Sequence, residues 1–320
     1  MVKNNLFSFS KKDVDFYSDK ICSLIDSWKM DYSTFNISDI AKSSFPKTIL
    51  GFGGSHIYYS QINDLKVTKS LDLYEYSDYF KDSIAVGFEN GFLEKNMKSL
   101  NVIFSFPSKS VRIDKDIVDE IYNGVYVKTL PFEQKEFSVI DKLKKYFNQN
   151  TKFKIFNDTP AVNFFNIFKN KQSDLYLGVV SGTGINISCT IEGQIINTEF
   201  GGRDIFKKNE YDILIDKECI NPNLECTEKL ASYPFLQKIH TKYNVPMDVL
   251  IKRSAGIIAS GIIGFIKYTK AKSVGVCFQG SFVCKDDTYF NLISDFIKSS
   301  GFPISILREN KADILGASLV

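Results

Sequence analysis

Apolar and polar positions along this chain keep two different periods, and the switches between them mark its elements. Residues 13–30 space Phe16, Ile21, Leu24, Ile25 and Trp28 at helical intervals, which predicts a helix. A polar, Ser-rich stretch runs from there to about Pro46. Three short β-type runs follow: Thr48–Phe52, Ile57–Ile62 and Leu65–Thr68. The glycine-rich turn around Gly53-Gly54-Ser55 and the pair Asn63-Asp64 separate them, so they predict hairpins at a sheet edge. Helical periodicity covers 79–97, 133–148 and 159–169, and Val102–Phe106 and Phe153–Phe156 read as strands. The pattern then restarts. Strand Leu175–Val180 enters the turn Ser181-Gly182-Thr183-Gly184, and Ile185–Ile191 and Gln194–Thr198 follow. Helix 247–270, strand Val274–Phe278, the pair Gly280-Ser281, helix 287–299 and strand Ile304–Leu307 complete it. The two halves repeat one order, which predicts a duplicated α/β lobe with a cleft between the copies.

Composition narrows the class. The chain has 320 residues, 44% hydrophobic and 24% charged, enough to bury a sizeable core. A net charge of +3 is too small to imply nucleic acid or an anionic membrane as partner, and neither is expected. Lysine far outnumbers arginine, which stands only at Arg112, Arg203, Arg253 and Arg308. Lysine runs such as Lys142-Leu143-Lys144-Lys145 therefore read as solvated helix faces. The cysteines Cys22, Cys189, Cys219, Cys226, Cys277 and Cys284 form no CxxC pair. With only His56 and His240 to join them, they suggest no zinc site and a reducing compartment. The apolar run Ala255–Ile266 is too short for a membrane span, which needs about twenty residues. It reads as a buried helix, and the expected location is cytoplasmic.

Two kinds of segment carry chemistry. Glycine turns such as Gly182-Thr183-Gly184 let backbone N–H groups approach phosphate oxygens, although most such glycines serve only a turn. Asp158 ends a strand between Asn157 and Thr159. There a carboxylate either caps the following helix or takes a proton from a substrate hydroxyl that attacks phosphorus.

Taken in order, these segments resemble the hexokinase family over roughly residues 47 to 320. Gly51-Phe52-Gly53-Gly54-Ser55-His56 stands where the family has DLGGTN. Phe104-Ser105-Phe106-Pro107 matches FSFP, Asn157-Asp158-Thr159 matches NDT, and Gly182-Thr183-Gly184-Ile185-Asn186 matches GTGxN. Ile196-Asn197-Thr198-Glu199-Phe200-Gly201 is close to INTEWG. Arg253-Ser254-Ala255 with Ala259-Ser260-Gly261 is similar to RSAxLxAAG, and Gly280-Ser281-Phe282 to GSV. The resemblance implies a two-lobed actin-like, ribonuclease H-like α/β fold of hexokinase type. It implies a small lobe of 47–157 plus 308–320 and a large lobe of 1–46 plus 158–307. It further implies ATP and Mg²⁺ as cofactors and a hexose, glucose first, as substrate. Asp158 would be the general base on the sugar 6-hydroxyl. Ser105, Lys128, Asn157 and Asn197 would bind sugar hydroxyls. Gly53, Gly54, Ser55, Gly182, Thr183, Gly184, Gly280 and Ser281 would hold ATP. No residue of the chain itself is expected to bind metal.

The departures from the family define a second reading. Its metal-organising acid before the paired glycines is Gly51 here, and its nearby Arg is Tyr58. Ile215–Pro222 resembles VDESSANP, with Lys217 in place of a sugar-binding Glu and Glu218 one position on. The family's second sugar-binding Glu finds no match. Ala312–Ser318 resembles GSGKGAA only in its last part, with Ile314-Leu315 in bulky form. The chain is thus either a working hexose kinase or a catalytically degraded relative kept for binding or scaffolding.

Overall fold

In the computed structural model, residues 4–28, 31–40, 47–54, 56–114, 116–122, 124, 135–217 and 226–320 are described. They form two compact units. Unit 1 takes in Met1–Met30, Lys169–Ile191 and Thr198–Asn310, and unit 2 takes in Asp31–Phe168, Glu192–Asn197 and Lys311–Val320.

Unit 2 is built on strands β1 (Asp31–Asn36), β2 (Lys47–Phe52), β3 (Ile57–Asn63), β4 (Lys66–Leu73), β5 (Ser99–Phe104), β6 (Ser108–Arg112), β7 (Val118–Tyr122), β8 (Phe137–Ser138) and β9 (Lys152–Phe156). Its main sheet runs β4-β3-β2-β5-β9-β7-β6, with β8 beside β7. The hairpins β2-β3-β4 form its edge as the short β-type runs and their turns predict, and β2, β5 and β9 lie parallel. Leu50, Phe52, Val102, Phe104, Phe153 and Ile155 are fully buried in one aromatic-rich core with Tyr59 and Tyr122.

Unit 1 holds β10 (Leu175–Ser181), β11 (Ile185–Ile191), β13 (Val274–Gln279) and β14 (Ile304–Arg308), while β12 (Gln194–Asn197) pairs with β1 in unit 2. In unit 1 an antiparallel hairpin partner, β11, again flanks the first strand, and β13 and β14 follow in parallel. The order β11-β10-β13-β14 repeats β3-β2-β5-β9, so the rhyme seen in sequence is a rhyme of topology.

Several expectations need correction. The Ser-rich stretch contains strand β1 and a short 3-10 turn at Ile37–Asp39. The helix predicted over 13–30 spans Lys11–Leu24, followed by a 3-10 turn, and it starts at Ser10 with a reciprocal capping box to Asp13. Its inner face is Val14, Ser18 and Ile21, whereas Phe16 is 63% exposed. The helix predicted over 79–97 stops at Glu89, where Asn90 and Gly91, at φ +67°, end it. The one predicted over 133–148 is reduced to Val139–Leu143 and a 3-10 turn. Phe137 and Ser138 join the sheet instead, and Ser138 caps the helix they precede. The hairpin β6-β7 was not foreseen.

Met247–Thr269 is long and apolar enough to cross a membrane by length and composition, but most of it is buried inside unit 1, as expected for a core helix. A Cβ on its Gly264 would stand 2.5 Å from Ile21, so glycine there sets how closely the Lys11–Leu24 helix can pack. Arg253 on the same helix makes a buried two-pronged ion pair with Asp212, at 2.8 and 2.7 Å. Removing one partner strands a buried charge, so Arg253→Ala is expected to lower the unfolding free energy by about 3–5 kcal/mol. Denaturant titration checks this. A loss below about 1 kcal/mol would show the pair to be incidental.

Candidate functional site

In-register parallel pairing makes β2, β5 and β9 end together. Phe52 pairs with Phe104, and Ile103 with Phe156. The residues just beyond these ends are Gly53, Ser105 and Asn157-Asp158, which come from three separate motifs. Carboxyl ends of parallel strands are where open α/β sheets place ligands. The Ser105 N–H donates to the Phe52 carbonyl at 3.0 Å. The Tyr79 hydroxyl donates to the Gly53 carbonyl at 2.7 Å, which anchors the glycine turn.

Asp158 is the first residue of helix Asp158–Lys169. The cap in front of it is Asn157, whose Oδ1 accepts from the Thr159 N–H at 3.2 Å while its carbonyl accepts from Ala161. The Asn157 amide nitrogen also reaches the carbonyls of Phe104 and Phe106, both at 3.4 Å. Capping is thus done by the neighbour, and the Asp158 carboxylate accepts hydroxyl bonds from Thr159, at 2.9 Å, and from Ser105. Burial pushes the Asp158 carboxyl above its ordinary range, and those bonds oppose the rise.

Below Asn157 lies a carboxylate that the sequence reading did not single out. Glu120 is buried, bonded by the hydroxyls of Ser108, at 2.6 Å, and Ser110, and by the Asn157 backbone. Burial pushes its pKa up to about 7, against those bonds.

In unit 1 the strands β10 and β13 likewise end side by side, with Val180 opposite Gln279. This brings Gly182-Thr183-Gly184 next to Gly280-Ser281. A Cβ on Gly182 would lie 3.1 Å from the Ser281 hydroxyl. Gly280 has φ +120°, and a Cβ there would meet the Ser181 carbonyl at 2.3 Å, so only glycine serves. The Gly182 N–H donates to the Gly184 carbonyl at 2.9 Å, closing the turn and leaving Thr183 exposed. Beside it stands Glu228, half-buried, with an oxygen 3.4 Å from the Ile185 nitrogen and 2.9 Å from where a Gly184 Cβ would be. Burial pushes its pKa up to about 7. Its carboxylate is held between the Gly184 and Gly201 segments. Its signal in sequence, a Glu opening the short helix Glu228–Ala231, is that of any surface helix start.

Asn197 is buried at the end of β12, opposite Asp31. Gly54 follows Gly53 in the glycine turn and is partly buried. Ser55, Lys128 and Glu218 lie outside the described residues, as does the side chain of Lys217.

The divalent cation implied by the resemblance finds a poor fit. Gly51 supplies no carboxylate, and the ring of its cross-strand neighbour Tyr58 covers it. Among the described residues no three His, Cys, Asp or Glu side chains gather as a metal cluster.

Two units repeating a hairpin-plus-parallel sheet, each with motif residues at its strand ends, make the actin-like α/β fold that hexokinases also have. In sequence the chain is similar to hexokinases. It is 23% identical to hexokinase-2 of Saccharomyces cerevisiae over 257 residues, covering 68% of this chain and 51% of that protein. The chain thus spans about half the length of the curated relatives it matches. Its fold matches the Schistosoma mansoni hexokinase complexed with glucose at TM-score 0.74 and 14% identity, over 98% of this chain and 97% of that one. It also matches a ROK-family glucokinase from Streptomyces griseus, in complex with glucose and AMPPNP, at TM-score 0.61 and 13% identity, over 86% and 98%. No protein-family sequence model matches the chain.

The Glu120 shift carries a sign. A carboxyl whose folded pKa is raised holds its proton better in the folded state. It adds stability below its ordinary pKa near 4.5 and loses that contribution as pH rises through about 7. Wild-type melting temperature is therefore expected to fall between pH 5 and 8, and Glu120→Gln to flatten that fall. Equal slopes in thermal scans across this range would refute the assignment.

Proposed function

We propose that the chain binds a hexose, glucose first, and phosphorylates its 6-hydroxyl from ATP with Asp158 as general base. The observation that carries this reading is the arrangement at the strand ends of unit 2. Asn157 takes the capping duty, Ser105 bonds the Asp158 carboxylate, and burial raises the Asp158 pKa toward the range where a base is efficient. In this reading Asp158 receives the hydroxyl proton as the sugar oxygen attacks the terminal phosphorus. Ser105, Asn157 and Asn197 bind neighbouring hydroxyls together with Lys128. The exposed Thr183 hydroxyl and the turns at Gly53-Gly54-Ser55, Gly182–Gly184 and Gly280-Ser281 receive the phosphates. The relatives support the substrate class, because the structures named above contain glucose and an ATP analogue.

A second reading, hexose binding with little transfer, is favoured by one observation: the Tyr58 ring stands where a carboxylate on residue 51 would have to be. A coupled assay for hexose 6-phosphate and calorimetry with glucose separate the two. If transfer operates, Asp158→Asn is expected to lower kcat by about 10²–10⁴-fold while leaving the glucose Kd within about threefold. An unchanged kcat in that variant would remove Asp158 from the chemistry.

A further inference from the structure

The interlock of Gly51, Tyr58 and Asp313 bears on the same site. Gly51 and Tyr58 face each other across the antiparallel pair β2-β3. A Cβ built on Gly51 would lie 2.0, 2.2 and 2.4 Å from three atoms of the Tyr58 ring, where real contacts do not go below about 3 Å. The ring is therefore seated on the glycine backbone and fills the side-chain volume of position 51. Tyr58 is 8% exposed, and its hydroxyl donates to Asp313 Oδ2 at 2.8 Å. Asp313 is 5% exposed, and its Oδ1 accepts from the Ile314 N–H at 2.7 Å. Both oxygens of the Asp313 carboxylate are thus committed within the protein. The interlock stands close enough to Asp158 for a charge on that residue to act on the Tyr58 phenol. That phenol stays neutral, because burial and the Asp313 charge both oppose its ionisation. The position is further fixed from the chain's last helix. A Cβ on Gly316 would meet the Ala161 carbonyl at 1.8 Å, so Ala312–Ala317 packs directly on the helix that Asp158 begins.

We propose that Gly51, Tyr58 and Asp313 act as one plug that puts a neutral phenol where a cation-organising carboxylate would stand, so that unit 2 takes up a hexose beside Asp158 without holding a divalent cation there. The inference rests on the hexose reading above. It makes Tyr58 the residue that sets the balance between binding and transfer. A neutral phenol brings no negative charge to attract a divalent cation, whereas a hexose needs only hydrogen-bonding groups. The nucleotide phosphates would then be met by backbone N–H groups and hydroxyls alone.

The test uses the full chain, with AMPPNP, glucose and Mn²⁺ as probes. Calorimetry is expected to give an AMPPNP Kd that changes less than about threefold between excess Mg²⁺ and EDTA. Paramagnetic titration with glucose present is expected to show no site for free Mn²⁺. The plug itself is read by thermal melting. Gly51→Asp alone should lower Tm sharply, and Gly51→Asp/Tyr58→Ala should recover most of that loss and gain Mg²⁺-dependent AMPPNP binding of tenfold or more. A tenfold Mg²⁺ effect on the wild-type protein, or a Gly51→Asp variant that melts like wild type, would overturn the proposal. If glucose fails to bind the wild-type protein while Gly51→Asp is still destabilised, the hexose reading falls and the plug alone survives.

Discussion

Parallel strands that end in register are what everything else here depends on. Because β2, β5 and β9 stop together, residues from sequence positions 53, 105 and 157–158 become neighbours without any long-range loop design. The same constraint places Gly182 beside Ser281 in unit 1. Backbone hydrogen bonds fix these ends, so the groups beyond them are held by the stiffest part of each unit. A site built this way tolerates extensive change in its loops. That suits a chain retaining only about a fifth to a quarter of its residues in common with its sequence relatives.

The carboxylates at these ends owe their character to local arrangement more than to residue type. Asp158, Glu120 and Glu228 are all pushed upward by burial, yet each is restrained by a different donor set. Glu120 is bonded to two serines and to the backbone of Asn157, and so supports the residue that caps the Asp158 helix. Asp158 is left with a partly accessible carboxylate and two hydroxyl donors. The arrangement in which Asn157 caps the helix and the Asp158 carboxylate does not needs both residues in sequence, and either one alone would read as an ordinary helix start.

Much of this was legible in the residues, for identifiable reasons. Short β-type runs between turn residues revealed the β2-β3-β4 edge and the β10-β11 hairpin, although β2, β3 and β10 are buried over most of their length and keep no strict alternation. Short motifs in a fixed order revealed which turns would meet. Other features escaped because tertiary context overrides local pattern. Strand β1, with the sequence Asp-Tyr-Ser-Thr-Phe-Asn, is too polar to announce itself and exists through its pairing with β12. The 133–148 segment has helical spacing, but Phe137 and Ser138 are captured by β7. Phe16 looked like a core residue only because its spacing allowed it, and Val14 took the place. Glu228 was invisible because a Glu at a helix start is ordinary, and only folding shows it beside Gly184.

The contact between Tyr58 and Gly51 also bears on the history of the chain. A residue larger than glycine at 51 collides with the ring, and a smaller residue at 58 leaves a hole over bare backbone and takes the phenol hydroxyl away from Asp313. Each single step back toward an acidic 51 therefore passes through a less stable protein, and only a paired change avoids that valley. Such a contact works as a ratchet: once both residues were in place, drift could continue elsewhere while this corner stayed shut.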